Sequence, residues 1–496
     1  MFRKVLIANR GEIAVRIALT LREMGIIVAA VHSEPDADAP HVVAADEAFN
    51  LGGQTSRESY LRGDRIIEIA RACRAEAIHP GYGFLSENAS FAEQCEQAGI
   101  TFIGPSPSVI RTMGDKITAK RAMSAAGVPV IPGWSSDAGA TLDDATREAA
   151  RIGFPLLIKA AAGGGGKGMR VVHDANGLAD AFGAAQREAR AAFGDDRVFL
   201  ERYIPVARHV EIQVIGDNHG TVLHLLEREC SIQRRHQKLV EEAPSPALDD
   251  DLRARMGEAA VRGAEAIGYR NAGTFEFMVE PDGRYHFLEV NTRLQVEHPV
   301  TELITGLDLV RLQLEIAAGL PLQISQDDIR PRGHAIECRI CAEDAASGFL
   351  PSTGPIRVLQ WASGPGIRVD SGVREGSDVT VHYDPMIAKL IVHAPDRSSA
   401  IDRMTRALRD TCILGVTTNI EFLGQVMSHP AFRAGDVTTR FLDDHAINDP
   451  GPQPGPAALL AAALAARGTG AVQPAMSQSG PDSCNSPWTS GTWRMR

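Results

Sequence analysis

The chain has 496 residues, 44% hydrophobic and 23% charged, with a formal net charge of −11. That length exceeds what one hydrophobic core serves and predicts about two to four domains. The acidic balance argues against a general nucleic-acid role, and no apolar run is long enough to cross a bilayer.

In chain order, Met1-Phe-Arg-Lys-Val-Leu-Ile-Ala runs directly into a strand pattern, with no secretory or transit segment expected before it. Lys4 to Ala8 reads as a strand, Glu12 to Met24 as an amphipathic helix stopped by Gly25, and Ile26 to Val31 as a second strand. The βαβ pattern continues through Ile66–Cys73, Ala77–His79, Phe91–Gln97 and Thr101–Ile103. No G-x-G-x-x-G opens the first helix, so a dinucleotide site has no support. The first domain is placed at 1–114.

The second region, 115–332, opens with strands at Pro155–Ala160 and Gly168–His173 around Gly163-Gly-Gly-Gly-Lys-Gly168. The run is not a P-loop, because Gly168 stands where Ser or Thr should follow Lys167. It reads instead as a hinge-like loop that can close over phosphates. Lys159, ending an apolar strand, needs an anionic partner if buried. Strands at Val198–Tyr203, Val210–Ile215 and Val222–Arg228 follow. In Arg208-His-Val-Glu-Ile-Gln-Val214, His209, Glu211 and Gln213 share one face and Val210, Ile212 and Val214 the core face. Ser231-Ile-Gln-Arg-Arg-His-Gln-Lys238 is dense in donors for a polyanion.

The next segment is a hairpin, Thr274-Phe-Glu-Phe-Met-Val-Glu280, Pro-Asp-Gly, Arg284-Tyr-His-Phe-Leu-Glu-Val-Asn291. If Asp282-Gly283 form a two-residue turn, Pro281 lies opposite Arg284 and Glu276 opposite Glu289. Opposed carboxylates ~5 Å apart repel unless one is protonated or a cation lies between them. Phe275, Phe277, Val279, Leu288 and Val290 form the expected core face. Asn291 and Arg293 extend the carboxylate face, and hard oxygen ligands beside a positive charge suit Mg²⁺ with substrate phosphates. Asn291-Thr-Arg-Leu-Gln-Val-Glu-His298 adds Glu297 as a candidate general base.

A third region, 333–446, alternates strands with a helix near Ser398–Arg409. The seven cysteines, at 73, 95, 230, 338, 341, 412 and 484, form no dense framework, which fits a reducing cytoplasm. Cys338 and Cys341 lack the second pair of a zinc site and read as ordinary thiols. After Asn448 the composition turns to Pro, Gly, Ala, Ser and Gln, as in a linker or tail spanning 447–496.

Together the glycine loop, Arg-His-Val-Glu-Ile-Gln-Val, Gln-Arg-Arg-His-Gln-Lys and Glu-Val-Asn-Thr-Arg-Leu-Gln-Val-Glu-His resemble the biotin carboxylases. So do Asn9-Arg-Gly-Glu-Ile-Ala and His79-Pro-Gly-Tyr-Gly-Phe-Leu-Ser-Glu-Asn, and the resemblance runs from Arg3 to about His445. It implies an α/β chain with the ATP-grasp fold, an N-terminal Rossmann-like (pre-ATP-grasp) domain, a lid at about 132–204 and a C-terminal biotin carboxylase domain. The implied reaction phosphorylates bicarbonate with ATP to carboxyphosphate, which delivers CO₂ to a biotin nitrogen. Lys116, Lys159 and His209 would contact ATP phosphates, with Gly164, Gly165, Gly166 and Lys167 closing above. Glu201, Tyr203 and Ile204 would hold adenine, with Arg202 standing where the family often has lysine; Gln233 and His236 would lie near the ribose. Glu276, Glu289 and Asn291 would bind Mg²⁺ or Mn²⁺. Lys238, Arg293, Gln295 and Val296 would bind bicarbonate, Glu297 would deprotonate it and Arg339 would stabilise the biotin enolate.

The last lysine is Lys389, and the nearest string to the family's biotinylated Ala-Met-Lys-Met is Pro474-Ala-Met-Ser477. Biotin is therefore expected on a carrier in trans, with a separate carboxyltransferase and, from the family, a homodimer. Gly415–Asn419, His429-Pro-Ala-Phe, Ala434-Gly-Asp-Val and Ser486-Pro-Trp…Trp493-Arg resemble acyl-CoA carboxylase large subunits, methylcrotonyl-CoA carboxylase in particular, which suggests a shortened form of a longer subunit. The competing readings are another ATP-grasp carboxylate–amine ligase and a non-catalytic subunit of a carboxylase complex.

Overall fold

Alternation in the first strands sends apolar side chains to both faces of a sheet. Leu6, Ala29 and Val31 join one buried cluster, while Val5, Ile7 and Val28 join another. A sheet buried on both faces is the parallel, helix-covered kind. In this computed structural model, which describes residues 1–136, 141–161, 169–235 and 237–447, that sheet has five parallel strands. They are β1 (Lys4–Ile7), β2 (Ile27–His32), β3 (Glu47–Asn50), β4 (Ala77–His79) and β5 (Thr101–Phe102), in the order β3-β2-β1-β4-β5. Helix α1 (Gly11–Glu23) ends as its sequence asks: Gly25, at φ +70°, donates to Arg22 O and Ile26 N–H donates to Leu21 O. Those two bonds satisfy carbonyls the last turn leaves bare.

A four-stranded antiparallel sheet follows, with β6 (Gly133–Trp134), β7 (Leu156–Ala160), β8 (Met169–Val172) and β9 (Val198–Arg202) in the order β6-β9-β7-β8. Gly164, Gly165, Gly166 and Lys167, between β7 and β8, lie outside the described residues, as do His236 and everything after residue 447.

The site rests on an eight-stranded antiparallel sheet. Its strands are β10 (Arg208–Gly216), β11 (Val222–Arg234), β12 (Gln237–Ala243), β13 (Asn271–Val279), β14 (Tyr285–Asn291), β15 (His334–Cys341), β16 (Ile367–Ser371) and β17 (Met386–Ala394). They are ordered β14-β13-β10-β11-β12-β15-β17-β16. Val210, Ile212, Val214, Phe275, Phe277 and Val279 pack against Met256, Ala259, Ala260 and Ala264 of α2 (Asp250–Ala266). The opposite face carries the charges. α1 shares a core with Val300 and Ile304 of α3 (His298–Thr305) and with Ile391 of β17. Among the described residues no helix is long and apolar enough to cross a membrane.

The β13–β14 hairpin pairs Glu276 with Glu289 as the sequence suggests, but by another route. The turn is not Asp282-Gly283 alone: Gly283 N–H donates to Glu280 O and Glu280 N–H to Arg284 O, enclosing Pro281–Gly283 as a three-residue loop. That length sets Val279 against Tyr285 and Phe277 against Phe287. A one-residue bulge at Leu288 then restores Glu276 opposite Glu289. Phe287 rather than Leu288 therefore enters the core; Leu288 is half-buried and lines a cavity.

Candidate active site

The charged face of the sheet floors a cavity of about 1210 Å³. Every described candidate residue except Glu297 lines it, and Glu297 lies just beneath, bonded to two that do. The site is built from rungs across the sheet. Glu289 faces Glu276, Glu276 faces Glu211, and Glu211 faces Arg228. Three carboxylates in one rung need cations, and the fold supplies them.

Lys238 Nζ reaches Glu211 Oε2 at 2.5 Å, Glu297 Oε1 at 2.7 Å and Glu276 Oε1 at 2.9 Å. Arg228, fully buried, donates Nε to Glu211 Oε1 at 2.5 Å and Nη1 to Gln213 Oε1 and Thr301 Oγ1. His209 Nε2 lies 3.1 Å from Glu276 Oε2, and its Nδ1 is 2.9 Å from Gln233 Nε2. Asn291 and Gln295 also donate to Glu276 Oε1, at 2.8 and 3.2 Å. The ligand atoms of His209, Glu211 and Glu276 come within 4.8 Å of one another. The Lys238 ammonium already bridges two of these groups, so the cluster is cross-linked by a protein cation.

Glu297 sits between two cations: Lys238, and the Arg339 Nη2 at 2.9 Å from Oε2. Burial opposes its ionisation, but Lys238 and Arg339 prevail and hold its carboxyl well below the usual range. Burial likewise opposes a charged Lys238, yet Glu211, Glu276 and Glu297 push its pKa well above the ordinary lysine value. Arg293 extends the row, donating to Glu87 Oε2 at 3.0 Å, Gln295 Oε1 at 2.8 Å and Asn291 Oδ1 at 3.1 Å.

The far wall comes from the four-stranded sheet. Lys159, almost fully buried, has the anionic partner its position demands, Glu201 Oε2 at 2.6 Å, while Lys120 holds Glu201 Oε1 at 2.8 Å. Against the burial penalty, Lys159 and Lys120 pull the Glu201 carboxyl down to about 2. Tyr203, Ile204, Leu157, Met169, Met278 and Leu288 complete an apolar slot beside it, of the kind that takes a flat ring. Lys116 lies 3.3 Å from Glu289, and Glu289 is half-exposed to the cavity. The donors around this edge, Glu276, Glu289 and the Asn291 amide oxygen, are all oxygen and fit a hard divalent cation shared with phosphates.

The structure thus gathers all the described candidates. Sequence reasoning missed Lys120, Arg228, Glu241 and Glu87, which hold the others in place from distant parts of the chain. It also missed the cavity wall at Thr439–Ile447. Cys338 and Cys341 are buried free thiols, as expected.

Family models match the chain in three blocks: "Biotin carboxylase, N-terminal domain" over residues 1–110, "Carbamoyl-phosphate synthase L chain, ATP binding domain" over 115–325, and "Biotin carboxylase C-terminal domain" over 337–444. The chain is 53% identical to Biotin carboxylase 2 of Bacillus subtilis, covering 90% of this chain and 100% of that protein. It is 51% identical to the mitochondrial methylcrotonoyl-CoA carboxylase subunit alpha of Arabidopsis thaliana, covering 89% of this chain but 60% of the relative. A solved structure, the biotin carboxylase domain dimer of Hydrogenobacter thermophilus 2-oxoglutarate carboxylase with MgADP, ADP and bicarbonate, superposes with a TM-score of 0.86. It is 49% identical, covering 90% of this chain and 98% of that one. The biotin carboxylase of Campylobacter jejuni, solved as a β-γ-ATP complex, gives a TM-score of 0.86 at 47% identity, covering 90% of this chain and 99% of that one.

Proposed function

The chain belongs to the biotin carboxylase family, and on that footing we propose how its own residues carry out ATP- and bicarbonate-dependent carboxylation of biotin. The observation that carries the reading is the Glu297 carboxylate held between Lys238 and Arg339 at the floor of a cavity whose rim is lined by oxygen donors.

The nucleotide's adenine takes the slot beside Glu201, Tyr203 and Ile204, and Lys116, Lys159 and His209 face its phosphates, with Gln233 towards the ribose. Mg²⁺, when bound at Glu276, Glu289 and Asn291, supplies charge neutralisation for the transferred phosphoryl group. Bicarbonate binds against Lys238, Arg293, Gln295 and the Val296 backbone. A carboxylate with a depressed pKa is a poor base. An anion that draws Lys238 towards itself weakens one of the two contacts on Glu297 and raises its basicity as the substrate arrives. Glu297 then takes the bicarbonate proton, and Arg339, at the cavity side, stabilises charge developing on biotin.

We further propose domains at 1–114, 115–332 and 333–446, with a lid at about 132–204, Lys167 and Gly164–Gly166 in its closing loop and His236 beside the ribose. The biotin carrier and the carboxyltransferase act in trans, the chain pairs as a homodimer, and the acyl acceptor is a CoA thioester. The six cysteines among the described residues are all free thiols, which supports a reducing, cytoplasmic setting. The test is ATP hydrolysis by the purified protein with Mg²⁺, adding bicarbonate and free biotin separately and together. Turnover should require bicarbonate and rise with biotin; turnover indifferent to both would leave an ATP-grasp enzyme of another kind.

A further inference from the structure

Two charged groups on the same sheet face have no part in the reaction as described. Glu241 of β12 and Glu337 of β15 are direct partners in antiparallel register. Their side chains therefore leave one face with Cβ atoms ~5 Å apart. Both are fully buried. Glu241 Oε1 accepts from Arg339 Nε at 2.6 Å, while Glu241 Oε2 and both oxygens of Glu337 have no hydrogen-bond partner among the described residues.

The charges around the pair do not balance it. Lys238 from β12 serves Glu211, Glu276 and Glu297. Lys389 from β17 lies 3.3 Å from Glu12 and 3.6 Å from Asp370. Arg339 is shared between Glu241 and Glu297. The Tyr82 phenol, also near Glu337, donates to Glu12. Two buried full charges that share one guanidinium with Glu297 and the Lys389 ammonium with Glu12 and Asp370 are costly, whereas one proton removes a charge and gives an orphaned oxygen a donor.

We propose that Glu241 and Glu337 hold one proton between them and act together as positioning residues for Arg339. This rests on the assignment of Arg339 to the biotin step. Burial drives both carboxyls upward, Glu241 to about 7 and Glu337 well above the usual range, in keeping with a carboxylic acid facing a carboxylate. With one negative charge, the pair anchors the Arg339 Nε and leaves Nη2 on Glu297. With two, it would draw the guanidinium away from Glu297 and from the cavity.

The shared proton is tested without the reaction. Infrared spectroscopy of the full-length protein at neutral pH should show the carbonyl stretch of a buried un-ionised carboxylic acid, lost in Glu337→Gln. Its absence from the wild type, or its survival in both Glu337→Gln and Glu241→Gln, overturns the assignment. The positioning role is tested by kinetics. A side chain displaced by ~1 Å costs about a hundredfold, so Glu241→Gln should lose about tenfold to a hundredfold in biotin-stimulated turnover. Bicarbonate-dependent ATP hydrolysis without biotin should change much less; an equal fall in both, or in neither, overturns it. A wild type indifferent to bicarbonate and biotin sinks the functional reading and the positioning role with it. The infrared band still decides the proton, and its absence from the wild type would overturn the assignment without any variant.

Discussion

Two buried lysines on one sheet face invite comparison. Lys238 bonds three carboxylates within 2.9 Å and lines the cavity. Lys389 is 0% exposed, donates to Val296 O at 2.8 Å, lies near Glu12 and Asp370, and does not line the cavity. By partner count and burial they look alike. What separates them is that Lys238 itself faces a space an anion can enter, whereas Lys389 is sealed away from it and ties α1 to β16 and to the backbone just before Glu297. A buried, satisfied charge is therefore not in itself a functional sign; access to a vacant volume is.

The sharpest way to break that contrast is to remove each ammonium. Lys389→Met leaves Glu12 and Asp370 without it and should cost about 3–5 kcal/mol of stability, read from urea unfolding. A variant as stable as the wild type would show that this cage holds nothing together. Lys238→Gln should instead lower bicarbonate-dependent turnover by about 10²–10³-fold, with a much smaller change in melting temperature. If it unfolded as readily as the Lys389 variant, the two cages would be the same kind of object.

Acid probes the sealed side without mutation. A histidine ordinarily takes a proton near pH 6.5. Burial lowers His79 to about 3 and His41 to about 4, so in between the unfolded chain binds protons that the folded chain refuses. Stability should then fall as pH drops below 6.5, by about 1.4 kcal/mol per unit for each histidine while it stays neutral in the fold. Replacing His79 by Gln should flatten part of that slope in chemical denaturation. The smallest effect belongs to Cys338→Ala, a core thiol on the face opposite Arg339, at about 1 kcal/mol and with kinetics intact. A large loss of activity would restore a role for Cys338 and Cys341 that their burial argues against.

Much of this was legible because strand alternation is local. His209, Glu211 and Gln213 could be set on one face, and Lys159 assigned a need for an anion, from a few neighbouring letters. The cages were not, because each is closed by strands far apart in sequence. Nothing near Glu211 says that Arg228 will lie opposite, or that Glu337 will face Glu241. The hairpin shows the middle case. The opposition of Glu276 and Glu289 was read correctly from a two-residue turn that the chain does not make, because a bulge invisible to simple alternation cancels the longer loop.

That cancellation has a bearing on how the segment can vary in length. Removing Leu288 alone would close the bulge and leave Glu276 facing Glu289. Removing one residue from Pro281–Gly283 alone would shorten the loop to two without changing the Glu280–Arg284 pairing or any pair beyond it. Removing one from each would leave Glu276 facing Glu289. Deletions at either site should therefore be tolerated singly, so that the two sites, some five residues apart in the chain, can vary in length independently of one another.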